Sequence, residues 1–259
     1  MMINKNFFDD IKLFESKLKN KEPFSFLRYS DGELFIMQGK NLTLNSNGSL
    51  VENQFYPIHW DEEDHKEINA EKDSKIKDML IESYKFNYQN YFKGISCKCC
   101  VGEENNKFFL DLSNDTEHLT WANLFVNGNY PYYLSNILPL FSNYEVILIA
   151  NEKTKIENLP FKVKKFFKVG KNCIINDLHL VNTITNYIKE NNINNHLFLF
   201  SASSLSQILI YNLFKENKNN TYLNVGTTLN HLFGISCNRG YLSYHSDKNH
   251  PDIKKICIW

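Results

Sequence analysis

Apolar residues recur at helical spacing early in the chain. Phe7, Ile11, Phe14 and Leu18 fall four, three and four positions apart, which predicts an amphipathic helix ending near Asn20, ahead of Pro23. Phe24 to Tyr29 (F-S-F-L-R-Y) then reads as a strand, and Ser30-Asp31-Gly32-Glu33 as a turn that starts a short helix over Leu34 to Gln38. From Lys40 to Asp64 the chain is polar and aromatic without a clear period. Ile68 to Phe92 reads as helix, with Ile76, Met79, Leu80, Tyr84 and Tyr88 on one face.

The second half alternates more regularly. Val146 to Ala150, Phe161 to Val169, His196 to Ser201 and Tyr222 to Gly226 are short strand-like runs. Between the second and third, Asp177 to Lys189 carries Leu178, Val181, Ile184 and Ile188 on one face. Between the third and fourth, Leu205 to Phe214 is apolar enough to be a buried helix. Strands and helices alternating at this spacing imply an α/β fold, Rossmann-like and doubly wound, with a mainly parallel sheet and flanking helices. A single domain over 1–259 is expected, with a helical and aromatic insertion around 40–95 and no internal repeat.

Charge narrows the function classes. Lys and Arg total 29 and Asp and Glu 29, so net charge is zero, which argues against a nucleic-acid binder that works by phosphate neutralisation. Any anion site must be local. The longest aliphatic run, Val146 to Ala150, is far short of a bilayer span, and acidic residues by position 9 leave no room for a secretory h-region. The expected location is the cytoplasm, including the inner face of the membrane. Of six cysteines only Cys97, Cys99 and Cys100 cluster, without a second ligand pair at zinc-site spacing, so reduced thiols are expected.

Ligands of open α/β sheets bind beyond the carboxyl ends of the strands, which directs attention to the loops after Tyr29, Ala150, Phe200 and Val225. The first holds Arg28-Tyr29-Ser30-Asp31-Gly32-Glu33, two carboxylates about one glycine beside an arginine. Hard carboxylate oxygens in this arrangement suit Mg²⁺ or Mn²⁺ bridging a diphosphate, with Arg28 offsetting phosphate charge. The plainer alternative is that Asp31 caps the short helix and Glu33 favours its positive end. After the third strand, Ser201, Ser203 and Ser204 open a helix whose amides and hydroxyls suit a phosphate, or serve as an ordinary N-cap. No dinucleotide fingerprint or P-loop accompanies them.

Asn127, Asn129 and Tyr130, next to Gly128, combine amides and a ring suited to sugar hydroxyls; an Asn-Gly turn is the alternative. Asn151 and Gly226 complete the candidate substrate-binding set from the loops after Ala150 and Val225. Asp115, Glu117 and His118 lie upstream of the amide cluster, and His118 is the candidate base for an acceptor hydroxyl.

R-Y-S-D-G-E at 28–33 resembles the Arg-aromatic-small-Asp-Gly-Glu signature of GT-D fold glycosyltransferases. The similarity continues in order through N-L-F-V-N-G-N-Y-P (123–131), L-I-A-N-E-K (148–153), F-S-A-S-S-L (200–205) and Y-L-N-V-G-T-T-L-N (222–230). The resemblance implies a transferase in which Asp31 and Glu33 bind Mn²⁺ or Mg²⁺. The donor would be a nucleotide-sugar, UDP-linked by expectation, and the acceptor a glycan or glycoprotein, as in capsule or other polysaccharide biosynthesis. Two departures stand out: Asn224 and Asn230 occupy positions where family members often carry Asp, and Ser201 to Ser204 lacks the family's frequent Gly. Transfer of another nucleotide-activated group, such as a phosphoryl derivative, and a non-catalytic glycan-assembly module remain open alternatives.

Overall fold

The computed structural model describes residues 7–56, 65–114, 116–236 and 238–254. Its centre is a seven-stranded, all-parallel sheet in the order β7-β6-β1-β11-β10-β8-β9. The strands are β1 (Ser25–Tyr29), β6 (Tyr91–Ile95), β7 (Leu119–Trp121), β8 (Val146–Asn151), β9 (Val163–Val169), β10 (Leu197–Ser201) and β11 (Thr221–Asn224). A second, antiparallel sheet in the order β4-β3-β2-β5 comprises β2 (Leu42–Asn45), β3 (Gly48–Val51), β4 (Gln54–Tyr56) and β5 (Lys66–Ile68). The expected α/β class and parallel sheet are both present.

Period-two alternation along the strands builds a core on each face. Leu27 and Tyr29 of β1, with Phe198 and Phe200 of β10, face the helices Ser74–Lys85, Leu180–Glu190 and Leu205–Glu216. Phe26 of β1, with Leu197 and Leu199 of β10, faces the helix Phe7–Lys19 and the aromatic segment around Phe125 and Tyr133. Helix Leu205–Glu216 is buried along nearly its whole length, as its apolar sequence predicts.

The sequence-based reading departs from the structure between 40 and 121. Residues 42–56 and 66–68 form the small antiparallel sheet rather than irregular chain, and the helix predicted over 68–92 spans only Ser74–Lys85. β6 escaped the reading because it carries Lys93 and Gly94 inside a buried strand. A β-carbon at 94 would approach the backbone of Trp121 and Ala122 within 2.8–2.9 Å, so close strand packing there demands glycine.

Candidate active site

β1 pairs with β6 on one side and β11 on the other, so the chain winds away from β1 in both directions, and the crevice beyond its carboxyl end is a topological switch point. A cleft of about 700 Å³ opens there. Arg28, the penultimate residue of β1, donates from Nε to Ala122 O at 2.6 Å. Its guanidinium lies on the backbone of Gly226, which has φ +53° just beyond β11. Burial pulls the Arg28 pKa below its ordinary value, while the neighbouring Tyr241 and Glu33 oppose the shift; a guanidinium remains cationic regardless.

Beyond β1 the helix Asp31–Met37 begins at once, so Asp31-Gly32-Glu33 is its first turn and Ser30 its N-cap. Glu33 completes a capping box by accepting from Ser30 N–H at 2.9 Å. Its other oxygen accepts from the Ser204 hydroxyl and lies 3.9 Å from Lys66 Nζ. Glu33 and Lys66 are both buried, and Lys66 donates to Ser204 Oγ at 2.6 Å. Asp31 is exposed and lines the cleft, accepting from Gly32 N–H at 3.0 Å.

The remaining sequence candidates divide. Asn127, Asn151, Ser201, Ser203 and Gly226 line the cleft with Arg28, Asp31 and Glu33. Asn127 adopts φ +52° and Ser203 φ +48°, left-handed conformations that turn the chain at the rim. Ser204 is fully buried and sits beneath the cleft floor, its hydroxyl directed to Glu33 rather than capping its own helix. Asn129 and Tyr130 are buried behind the rim. Tyr130 donates to Thr228 O at 3.0 Å and its ring packs on Tyr133 and Tyr241, which makes it a pillar of the loop after β11. His118 immediately precedes β7, and its carbonyl accepts from the N–H of Lys93 in β6. It therefore lies at the amino-terminal edge of the sheet against Phe92, opposite the cleft, and cannot reach an acceptor there. Asp115 lies outside the described residues.

Three solved structures share this architecture. One is the domain of unknown function 1792 (DUF1792), with a TM-score of 0.54 and 11% identity over 93% of this chain and 86% of that one. Another is a new glycosyltransferase (DUF1792) from Streptococcus sanguinis, with a TM-score of 0.55 and 11% identity over 91% and 83%. A third is the highly conserved DUF1792 described as having a distinct glycosyltransferase fold, with a TM-score of 0.54 and 11% identity over 93% and 86%. The chain has the DUF1792 fold. No family model and no curated protein matches the sequence.

Within this DUF1792 fold, several cleft residues were not legible from motifs. Lys40, Lys66, Arg239, Asp252 and Gln207 all line the cleft. Lys66 arrives on β5, whose edge is held by Asn172 in the loop after β9. Asn172 accepts from Glu67 N–H at 3.1 Å, donates to Glu67 O at 3.0 Å, and its own N–H donates to His65 O at 3.2 Å. An asparagine side chain thus pairs with β5 as a neighbouring strand would. The Gln207 amide donates to Arg28 O, and its buried Oε1 has no partner among the described residues. An i,i+4 signal from Ala202 to Ser206 holds the preceding turn, with Ala202 N–H donating to Ser206 Oγ at 3.2 Å. No sequence spacing announces contacts between residues 33, 66 and 204.

Proposed function

We propose that the chain is a glycosyltransferase that moves a sugar from a nucleotide-activated donor, UDP-linked by expectation, to a glycan or glycoprotein acceptor. The observation that carries this reading is the cleft at the β1/β11 switch point. Arg28, Lys66 and Arg239 bring positive charge there, beside the amides of Asn127, Asn151, Asn224 and Asn230. Fixed cations suit a donor diphosphate, and amides that both donate and accept suit sugar hydroxyls. In the transfer, the bond from the anomeric carbon to the β-phosphate oxygen breaks as the acceptor hydroxyl oxygen bonds that carbon, and the hydroxyl proton passes to the departing diphosphate or to solvent. The departing nucleoside diphosphate gains negative charge, which cations near Arg28 stabilise.

A divalent ion clamped by Asp31 and Glu33 fits these residues poorly. Asp31 faces the cleft, but Glu33 is engaged by Ser30 and Ser204 and stands 3.9 Å from a buried ammonium. A second cation on Glu33 would meet that ammonium at close range, where repulsion is poorly screened.

Thermal denaturation with UDP, GDP, CDP, the corresponding monophosphates and the diphosphate sugar conjugates tests the reading, because a ligand that binds only the folded chain raises Tm. At least one nucleoside diphosphate should raise Tm more than its monophosphate does. A panel without any such shift refutes the proposal.

A further inference from the structure

We propose that Lys66 is the resident cation of this site, so that binding of the donor diphosphate requires no divalent ion. The inference rests on the donor-diphosphate reading above and adds what neutralises the charge. Lys66 Nζ lies 2.6 Å from Ser204 Oγ and 3.9 Å from Glu33 Oε1, and the Ser204 hydroxyl donates to the same carboxylate. Ammonium, hydroxyl and carboxylate form one directional chain, in which every group has a partner of complementary sign or polarity. The side chains of Lys66 and Glu33 are only 9% and 8% exposed. Removing an ammonium from water at such a site is costly unless its partners are fixed, so the arrangement is a built feature of the cleft.

Two further observations bear on the position of this ammonium. A β-carbon on Gly32 would stand 2.9 Å from Lys66 Nζ, and no left-handed backbone explains glycine at that position. The Asn172 clamp fixes β5 through both the N–H and the carbonyl of Glu67, one residue from Lys66. Charge agrees with this. Among the described residues that line the cleft, Arg28, Lys40, Lys66 and Arg239 face three carboxylates, Asp31, Glu33 and Asp252. Four cations against three carboxylates leave one net positive charge, so the lining accepts an anion without an added cation.

Isothermal titration of the full chain with UDP, GDP and CDP, in EDTA and then in Mn²⁺ or Mg²⁺, tests the proposal on wild type, Lys66→Ala and Lys66→Arg. Wild type should bind at least one nucleotide with affinities that agree within twofold with and without the ion, a comparison that needs no variant to fold. Lys66→Ala should lose at least tenfold in EDTA and recover part of that loss in Mn²⁺, since Glu33 is then released to hold a metal. Lys66→Arg, which keeps the charge, should remain independent of the ion. Wild-type binding that appears only with Mn²⁺ or Mg²⁺ overturns the assignment while leaving the donor reading intact. A folded Lys66→Ala that binds as wild type in EDTA overturns it as well. Absence of nucleotide binding under every condition refutes the donor reading, and this inference falls with it.

Discussion

The guanidinium of Arg28 rests on the bare backbone of Gly226, and a β-carbon at 226 would collide with it. The contact joins β1 to the loop after β11 across the switch point, between elements 198 residues apart in sequence number. Gly226→Ala combines two effects there. An L-residue at φ +53° costs about 1–2 kcal/mol of stability, and the displaced arginine loses its alignment with Ala122 O. Urea denaturation should register the first effect and nucleotide titration a loss of affinity beyond it. An alanine variant with wild-type affinity would mean that Arg28 does not touch the ligand.

Asp31 and Glu33 should separate sharply when each loses its charge. Glu33→Gln leaves the buried Lys66 ammonium without its counter-charge and weakens the capping box, so a loss of about 3 kcal/mol is expected. Asp31→Asn changes an exposed side chain and should alter stability by less than about 0.5 kcal/mol. Equal destabilisation in urea would show that the two carboxylates are structurally equivalent, contrary to their burial.

How much of this was legible in the chain follows the physics of each signal. Runs such as Leu197–Ser201 and Val146–Asn151 are almost continuously apolar because both faces of the parallel sheet are covered, and such runs read directly from sequence. The antiparallel strands over 42–68 are three or four residues long and half exposed, with Leu50 and Phe55 outward, so no period accumulates. The R-Y-S-D-G-E motif located the cleft. Its partners Lys66 and Ser204 stand 33 and 171 positions from Glu33, and tertiary packing alone unites them. Tyr130 illustrates the opposite failure: an aromatic beside amides reads as a sugar platform, yet its ring is needed to support the 226–230 loop.

His118→Ala and Asn127→Ala should differ in kind. His118 sits at the edge of the sheet away from the cleft, so its loss should leave donor turnover within about twofold of wild type. Asn127 lines the cleft, and removal of its amide should alter the ratio of rates on donors or acceptors that differ by one hydroxyl. Competition assays with paired substrates read both outcomes. A selective loss in His118→Ala with an unchanged ratio in Asn127→Ala would reverse the assignment of the two positions.

The loop beyond β11 should make stability depend on pH through His231. Burial, with the His245 ring tilted against it at a centroid separation of 4.1 Å, lowers the His231 pKa from 6.5 to about 4. The folded chain therefore keeps this ring neutral where the unfolded chain protonates it. Its contribution is fully present above pH 6.5, falls as pH drops towards 4, and is constant below that, because the unfolded state binds the extra proton only within this window. The ring lies 3.1 Å through Nδ1 from the Tyr130 hydroxyl, which itself donates to Thr228 O, so the buried imidazole belongs to the support of the cleft loop. Urea midpoints at pH 7.5 and 5.0 should fall further for wild type than for His231→Phe, in which this proton uptake is gone. Carboxylates titrating at low pH act on both proteins alike, so the difference between the two drops isolates His231. Equal drops would show that the ring is as readily protonated in the folded chain as in the unfolded one.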